Sequence, residues 1–238
     1  MKLRILALLG AFLAVPAAQA GDLDNLQALA QAEFDGLSHD LSSALSYKAM
    51  NPTESMGITG FDIGVDASAT EVNNSAAWDK ATSGSGWDYL PMARLRVMKG
   101  LPLGFDVGGF YSEVPGSNIK HYGMELRYAL LEGGTLTPAV GLRAATTQLK
   151  GVDQLDFKTR SLDLSISKGF GPLTPYAGFG RVWADSTPDA STGLQSVSFS
   201  QNKTYAGLRF SLTLLNIDLE ADKTGNDKTY SLKFALGF

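Results

Sequence analysis

The last ten residues, Thr229-Tyr-Ser-Leu-Lys-Phe-Ala-Leu-Gly-Phe238, decide how the chain is read. Tyr230, Leu232, Phe234, Leu236 and Phe238 are apolar or aromatic, and Ser231, Lys233, Ala235 and Gly237 between them are polar or small. Strict alternation at period two is the mark of a strand with two unlike faces. One face suits hydrocarbon and the other suits a polar or crowded interior, as in a strand that crosses a membrane within a barrel.

Working toward the N-terminus, the same alternation recurs. Ile217, Leu219 and Ala221 oppose Asp218, Glu220 and Asp222; Ala206, Leu208, Phe210 and Leu212 oppose Tyr205, Gly207, Arg209 and Ser211. Leu162, Leu164 and Ile166 oppose Ser161, Asp163, Ser165 and Ser167; Tyr122, Met124, Leu126, Tyr128 and Leu130 oppose His121, Gly123, Glu125, Arg127 and Ala129. Phe105, Val107 and Tyr111 oppose Gly104, Asp106 and Gly108; Ala93, Leu95 and Val97 oppose Arg94 and Arg96; Phe61, Ile63 and Val65 oppose Asp62, Gly64 and Asp66. Residues 138–146 alternate around Val140, Leu142 and Arg143. Residues 173–184 are rich in Tyr, Gly and Trp with no clear parity, so a bulge is expected near Gly178 or Gly180.

These segments make ten strands. The connections at Lys99–Pro102, Leu131–Thr135, Lys168–Pro172 and Leu214–Asn216 read as short. Those at Ser68–Tyr89, Glu113–Asn118, Lys150–Leu155, Asp185–Gln201 and Lys223–Lys228 read as mostly longer. Alternating short and long connections suit an all-β transmembrane antiparallel barrel over residues 57–238; a soluble sandwich gives no reason for them. Trp87, Tyr89, Tyr111, Tyr122, Tyr128, Trp183 and Tyr230 fall near strand ends, where aromatic girdles belong.

The C-terminal strand resembles the terminal signature of bacterial outer-membrane proteins, with its final Phe238 and the aromatic Tyr230. That resemblance implies a small porin-like barrel of the Gram-negative outer membrane. It also implies that the barrel assembly machinery reads this strand. It identifies a broad class and no activity.

The start of the chain agrees with export. Lys2 and Arg4, the apolar run from Ile5 to Val15, and Ala18-Gln19-Ala20 have the layout of a signal peptide over residues 1–20. The run is too short to span a bilayer as a helix. Without Lys2 and Arg4 the chain holds 18 basic and 24 acidic residues, a formal charge of −6. Bulk attraction to nucleic acid is therefore not expected. There are no cysteines.

Residues 21–52 carry the only strong helical pattern. Leu23, Leu26, Ala30, Phe34, Leu37, Leu41 and Leu45 form one stripe, with Asp22 or Asp24 as candidate N-cap. This amphipathic segment has three possible places: on the inner leaflet surface, plugging the barrel, or against a periplasmic partner. Because an apolar stripe fits a charged lumen poorly, surface or partner contact is the expectation over plugging.

The lumen carries charges of both signs: Arg94, Arg96, Arg127, Arg143, Arg209 and Lys233 against Asp62, Asp66, Asp106, Glu125, Asp163, Asp218, Glu220 and Asp222. On the lipid face at mid-bilayer each basic group would cost about 2–4 kcal/mol. Inside, the charges either pair structurally or select solutes. The inward glycines, from an excess of 26 in 238 residues, make room beside long side chains or for the helix.

Enzymatic chemistry is not expected. His39 reads as a solvated helix residue. His121 faces inward, with Ser112, Glu113, Ser117 and Ser165 as possible neighbours for a Ser–His arrangement of the lipid-modifying kind. The row Asp218, Glu220, Asp222 is a weak candidate for calcium. No cofactor, catalytic residue or metal ligand is expected. The working expectation is a narrow channel for small polar solutes, with a non-conducting structural or adhesive barrel as runner-up and a lipid-modifying enzyme third. Partners are membrane lipid and lipopolysaccharide.

Overall fold

The computed structural model describes residues 23–82, 84, 88–113 and 119–238. The expected signal peptide, Asp22, Trp87 and Ser117 lie outside the described residues. Ten antiparallel strands close into one barrel: β1 (Phe61–Glu71), β2 (Tyr89–Gly100), β3 (Phe105–Glu113), β4 (Lys120–Glu132), β5 (Ala139–Lys150), β6 (Leu155–Ser167), β7 (Leu173–Pro188), β8 (Val197–Leu212), β9 (Leu215–Thr224) and β10 (Asp227–Gly237). Each strand pairs with its chain neighbours, and the seam is made by β1 and β10, with Asp62 opposite Gly237 and Thr70 opposite Thr229. Closure gives every strand a neighbour on both sides, which a sheet in hydrocarbon requires; between β2 and β3 the described ladder runs from Leu95–Tyr111 to Gly100–Asp106.

The alternation sorts as expected. Ile63, Leu95, Met124, Leu162, Leu219 and Leu236 point outward and are exposed, while Asp66, Arg94, Glu125, Asp163 and Lys233 point inward and are buried. No helix among the described residues is long and apolar enough to cross a membrane; the apolar belt belongs to the strands.

Three local readings are corrected. β7 carries no bulge: it stays in continuous register with β6 and β8 through Gly178 and Gly180. Its parity is obscured because Tyr176, Val182 and Ala184 face inward while Arg181 faces outward. The register shift lies in β4 instead, between Ala129 and Leu131, and leaves Leu130 and Leu131 both exposed. The polar stretch Asp185–Gln201 is mostly strand, with only residues 189–196 connecting, and the turn between β9 and β10 is just Gly225-Asn226. Serine, threonine and asparagine there line strands that rise out of the apolar belt, so polarity marks height rather than a loop. The one long connection, residues 72–88, holds a short helix, α2 (Ser75–Ala81).

The N-terminal segment begins with a single turn at Leu26–Ala28, followed by α1 (Gln31–Leu45). Asp24 does not cap α1. Ala30 takes the N-cap position, and its amide donates to Glu33 Oε2 at 2.9 Å. α1 does not lie on a leaflet surface. Phe34, Leu37, Leu41 and Leu45 are buried inside the barrel mouth, in one apolar cluster with Trp78, Leu90, Leu149, Val152, Leu155 and Phe157. The expectation failed because the lumen is not charged along its whole height. At the end carrying the 72–88 connection its wall is apolar, and the stripe packs there.

Candidate functional site

The lumen is the candidate site, and residues 44–56 run through its length. Near the mouth, Ser38 and Ser186 share a hydrogen bond of 2.8 Å and Ser43 donates to the Thr224 carbonyl at 3.0 Å. Deeper, the Tyr47 hydroxyl donates to Glu125 at 2.9 Å, and Lys203 donates to the Tyr47 carbonyl. Lys48 binds Asp222 at 3.1 Å and the Thr229 hydroxyl at 3.0 Å, while its carbonyl accepts from Arg96 at 3.2 Å. The Ala49 and Met50 amides donate to the two carboxylate oxygens of Glu220 at 3.1 and 2.7 Å. Met50 adopts a left-handed φ of 48° to present its amide this way, a strain of about 1–2 kcal/mol for a non-glycine residue. Asn51 accepts from Arg209 and from Lys233. Thr53 bonds Ser165 and Ser167, the Glu54 carbonyl accepts from Arg127, and the Met56 amide donates to Asp106. The segment then joins β1 at the opposite end of the barrel from α1.

All fourteen lumen positions read from the sequence stand on the inner wall: Asp62, Asp66, Arg94, Arg96, Asp106, Glu125, Arg127, Arg143, Asp163, Asp218, Glu220, Asp222 and Lys233 are buried, and Arg209 is nearly so. Register creates their pairing. Asp66 lies opposite Arg94, Asp106 opposite Arg127, Arg143 opposite Asp163, Arg209 opposite Asp218, and Asp218 opposite Lys233. The corresponding contacts are 2.9, 2.9, 3.1, 2.7 and 3.2 Å. Arg96 adds a second bond to Asp66 at 3.0 Å, and Asp62 bridges Arg209 and Lys233 at 3.1 and 3.0 Å. Arg127 and Arg143 face one another in register, which is unfavourable for like charges. Each has its own carboxylate.

Lys48, on the plug, and Lys203, on β8, complete the set. Eight cations (Lys48, Arg94, Arg96, Arg127, Arg143, Lys203, Arg209, Lys233) are matched by eight carboxylates (Asp62, Asp66, Asp106, Glu125, Asp163, Asp218, Glu220, Asp222). Charge neutrality at this depth thus depends on the N-terminal segment. Sequence reasoning missed Lys203 because the preceding residues were read as loop. It missed Tyr47, Lys48 and Asn51 because a segment before the first strand carries no periodic sign that it enters the barrel.

The inward glycines have a specific use. Tyr205 lies over its register partner Gly178 and Tyr176 over Gly207; a Cβ would sit 2.3 Å from the Tyr205 ring at the first and 2.2 Å from the Tyr176 ring at the second. At Gly141 a Cβ would meet Thr53 of the plug at 2.9 Å. The rings in turn hold charges: Arg143 lies over Tyr205 at 5.1 Å, and the Tyr176 hydroxyl donates to Glu220 at 3.0 Å.

The Ser–His possibility at His121 does not assemble among the described residues. Ser112 is its register partner, but the serine hydroxyl donates to the Ala93 carbonyl at 2.5 Å. Glu113 accepts from Tyr111 on the outer surface, and Ser165 pairs with Thr53 far down the barrel. His121 itself is buried edge-on against Phe110 at 4.7 Å. Glu220 and Asp222 are engaged by plug amides and by Lys48, and Asp218 by Arg209 and Lys233. His39 is not simply solvated: it stacks on Phe199 at 3.9 Å, and burial lowers its pKa.

A cavity of about 330 Å³ opens at the end of the lumen remote from α1, where Arg127, Arg209, Asn216 and Phe238 meet Asn51–Met56 of the plug. It stops at the plug.

No protein-family profile matches the chain, and no curated protein matches it. Solved structures do. The chain is similar to the N-terminal β-barrel domain of Pseudomonas aeruginosa OprF, at a TM-score of 0.37 and 12% identity over 74% of this chain and 97% of that one. It is similar to Ail, the attachment invasion locus protein of Yersinia pestis, at 0.35 and 16% over 75% and 95%. It is also similar to the KdgM porin, at 0.37 and 9% over 74% and 99%.

Proposed function

We propose that the protein is an integral barrel of the Gram-negative outer membrane, a narrow conduit for small polar solutes that its own N-terminal segment holds shut. The observation that supports this most directly is the path of residues 44–56, which fill the lumen and bond to its wall at every level. A wall of buried charges partnered in good part by a separate central segment differs from a barrel whose wall side chains meet each other across the axis. Here the plug backbone supplies much of the pairing, so its departure would expose a hydrophilic bore. The belt of exposed Ile, Leu, Val and Phe on the outside has the extent that a lipid-facing surface needs and that a soluble surface avoids.

The test locks the plug in the full chain. The Ser38 and Ser186 hydroxyls are 2.8 Å apart, and the sequence has no cysteine to interfere. In a planar bilayer, Ser38→Cys/Ser186→Cys protein is expected to be silent when oxidised and to show opening events when reduced. Deletion of residues 23–56 is expected to give steady conductance. Silence in every state would leave the second reading, a non-conducting structural or adhesive barrel. That reading is favoured by the apolar cap, which closes the mouth with a packed cluster rather than a loose chain.

A further inference from the structure

The two ends of the barrel are distinguished by the chain itself. β1 begins and β10 ends at one end, where the Phe61 amide donates to the Phe238 carbonyl at 3.1 Å and Phe238 donates back at 3.0 Å. The connections 101–104, 133–138, 168–172 and 213–214 lie at that same end. The connection 72–88 lies at the other. In an outer-membrane barrel the end with the short turns faces the periplasm and the end with the long connection faces outward.

Residues 23–45 are at the outer end. The Asn25 amide donates to the Ala81 carbonyl at 3.2 Å, the Leu26 amide to Gln154 at 2.9 Å, and Gln31 exchanges bonds with Gln195 at 2.9 and 3.2 Å. These three partners belong to three different outer connections. Asp40 accepts from Asn74 at 2.8 Å and from the Trp78 indole at 3.0 Å. The chain then descends through the lumen and turns at Gly57–Gly60 into β1 at the periplasmic end.

From this path we infer that the protein is threaded through its own barrel and presents its N-terminal segment at the cell surface, where it forms a lid with the outer connections. The inference rests on the outer-membrane reading above. It has a consequence for assembly. α1 with its side chains is about 10 Å across, and the segment is enclosed by continuous hydrogen bonding around ten strands. The ring of strands offers no lateral opening, so the segment reaches the outer end either along the bore or before the β1–β10 seam closes. The consequence for partners is that a ligand for this segment is met outside the cell, on the face carrying Asp24, Gln27, Glu33 and Lys80. The apolar stripe is already covered by the barrel mouth and is not free to dock in the periplasm.

Single cysteines read the topology directly. Asp24→Cys and Gln27→Cys are exposed positions in the lid, Asn226→Cys lies in the outer turn, and Leu136→Cys lies in a periplasmic turn at 92% exposure. With a membrane-impermeant maleimide on intact cells, positions 24, 27 and 226 are expected to label. Position 136 is expected to label only after the outer membrane is permeabilised, a difference of at least tenfold. Labelling of 24 and 27 that follows 136 rather than 226 would overturn the threading while leaving the barrel orientation intact. Failure of 24 and 27 to label in intact cells would overturn it equally. If 226 and 136 label alike, the membrane reading itself has failed.

Discussion

The outer third of the lumen and the part below it are filled by the same stretch of chain in opposite ways. In the outer third, α1 lays Phe34, Leu37 and Leu41 against Leu149, Leu155, Phe157 and Trp78, an ordinary apolar core inside a barrel mouth. Below it, residues 46–56 are extended and bond through their backbone and through Tyr47, Lys48 and Asn51 to buried charges. The cap is held by burial, which does not depend on any one partner. The stem is held by pairing, where each group depends on another. Removing one member of a buried pair leaves an uncompensated charge, whereas removing both is often nearly neutral.

That contrast is testable in equilibrium unfolding of the refolded protein. The largest effect is expected at Lys48→Met, which strands Asp222 in the lumen and should cost about 3–5 kcal/mol. Lys48→Met with Asp222→Leu should recover most of the loss; a double variant as unstable as the single would show that the stem is not held by pairing. Leu37→Ala in the cap should cost about 2–4 kcal/mol through cavity formation, with no single partner substitution that restores it. Gly178→Ala drives a methyl into the Tyr205 ring and should cost about 1–3 kcal/mol, relieved in Gly178→Ala/Tyr205→Leu. Ser38→Ala leaves the Ser186 hydroxyl without its partner and should cost about 1 kcal/mol.

The smallest effect is a pH dependence of the cap. Burial raises the Asp40 carboxyl above its ordinary value, more than the bonds from Asn74 and Trp78 lower it, and Asp227 adds to the rise. A raised carboxyl means that the folded state holds its proton to higher pH than the unfolded chain. Asp40 therefore disfavours the fold when ionised, and this penalty is relieved as pH falls through the folded value toward the unfolded one. His39 works against it, since burial lowers its pKa and the folded cap disfavours the charged ring as pH falls through the ordinary histidine range. Asp40→Asn should abolish the relief that sets in above the ordinary carboxylate range while leaving the histidine step, which begins at the ordinary histidine value, unchanged, as read by melting temperature against pH.

The barrel was legible because its cause is local and repeated. Each strand must show one face to lipid and one to the interior, so Leu162/Asp163/Leu164 or Val65/Asp66/Ala67 declares its orientation within three residues. The fourteen inward charges were legible for the same reason. Their pairing was not, because Asp66 meets Arg94 and Asp218 meets Lys233 only through register between strands, a property of the closed sheet. β7 was illegible in parity because Val182 and Ala184 line the apolar mouth while Arg181 stands outside above the lipid belt. Alternation of polarity assumes one environment on each face, and both environments change with height.

By itself the sequence determined the number of strands, which side chains face inward where the alternation is clean, and that a helix with an apolar stripe precedes the strands. The local period settles each of these without reference to distant residues. Only the tertiary structure decided where that stripe goes, that Lys48 balances the lumen charge, and that the chain passes through the barrel it builds. Those outcomes depend on the shape and polarity of a cavity that exists only after β1 has met β10, and no stretch of sequence before the first strand carries a record of it.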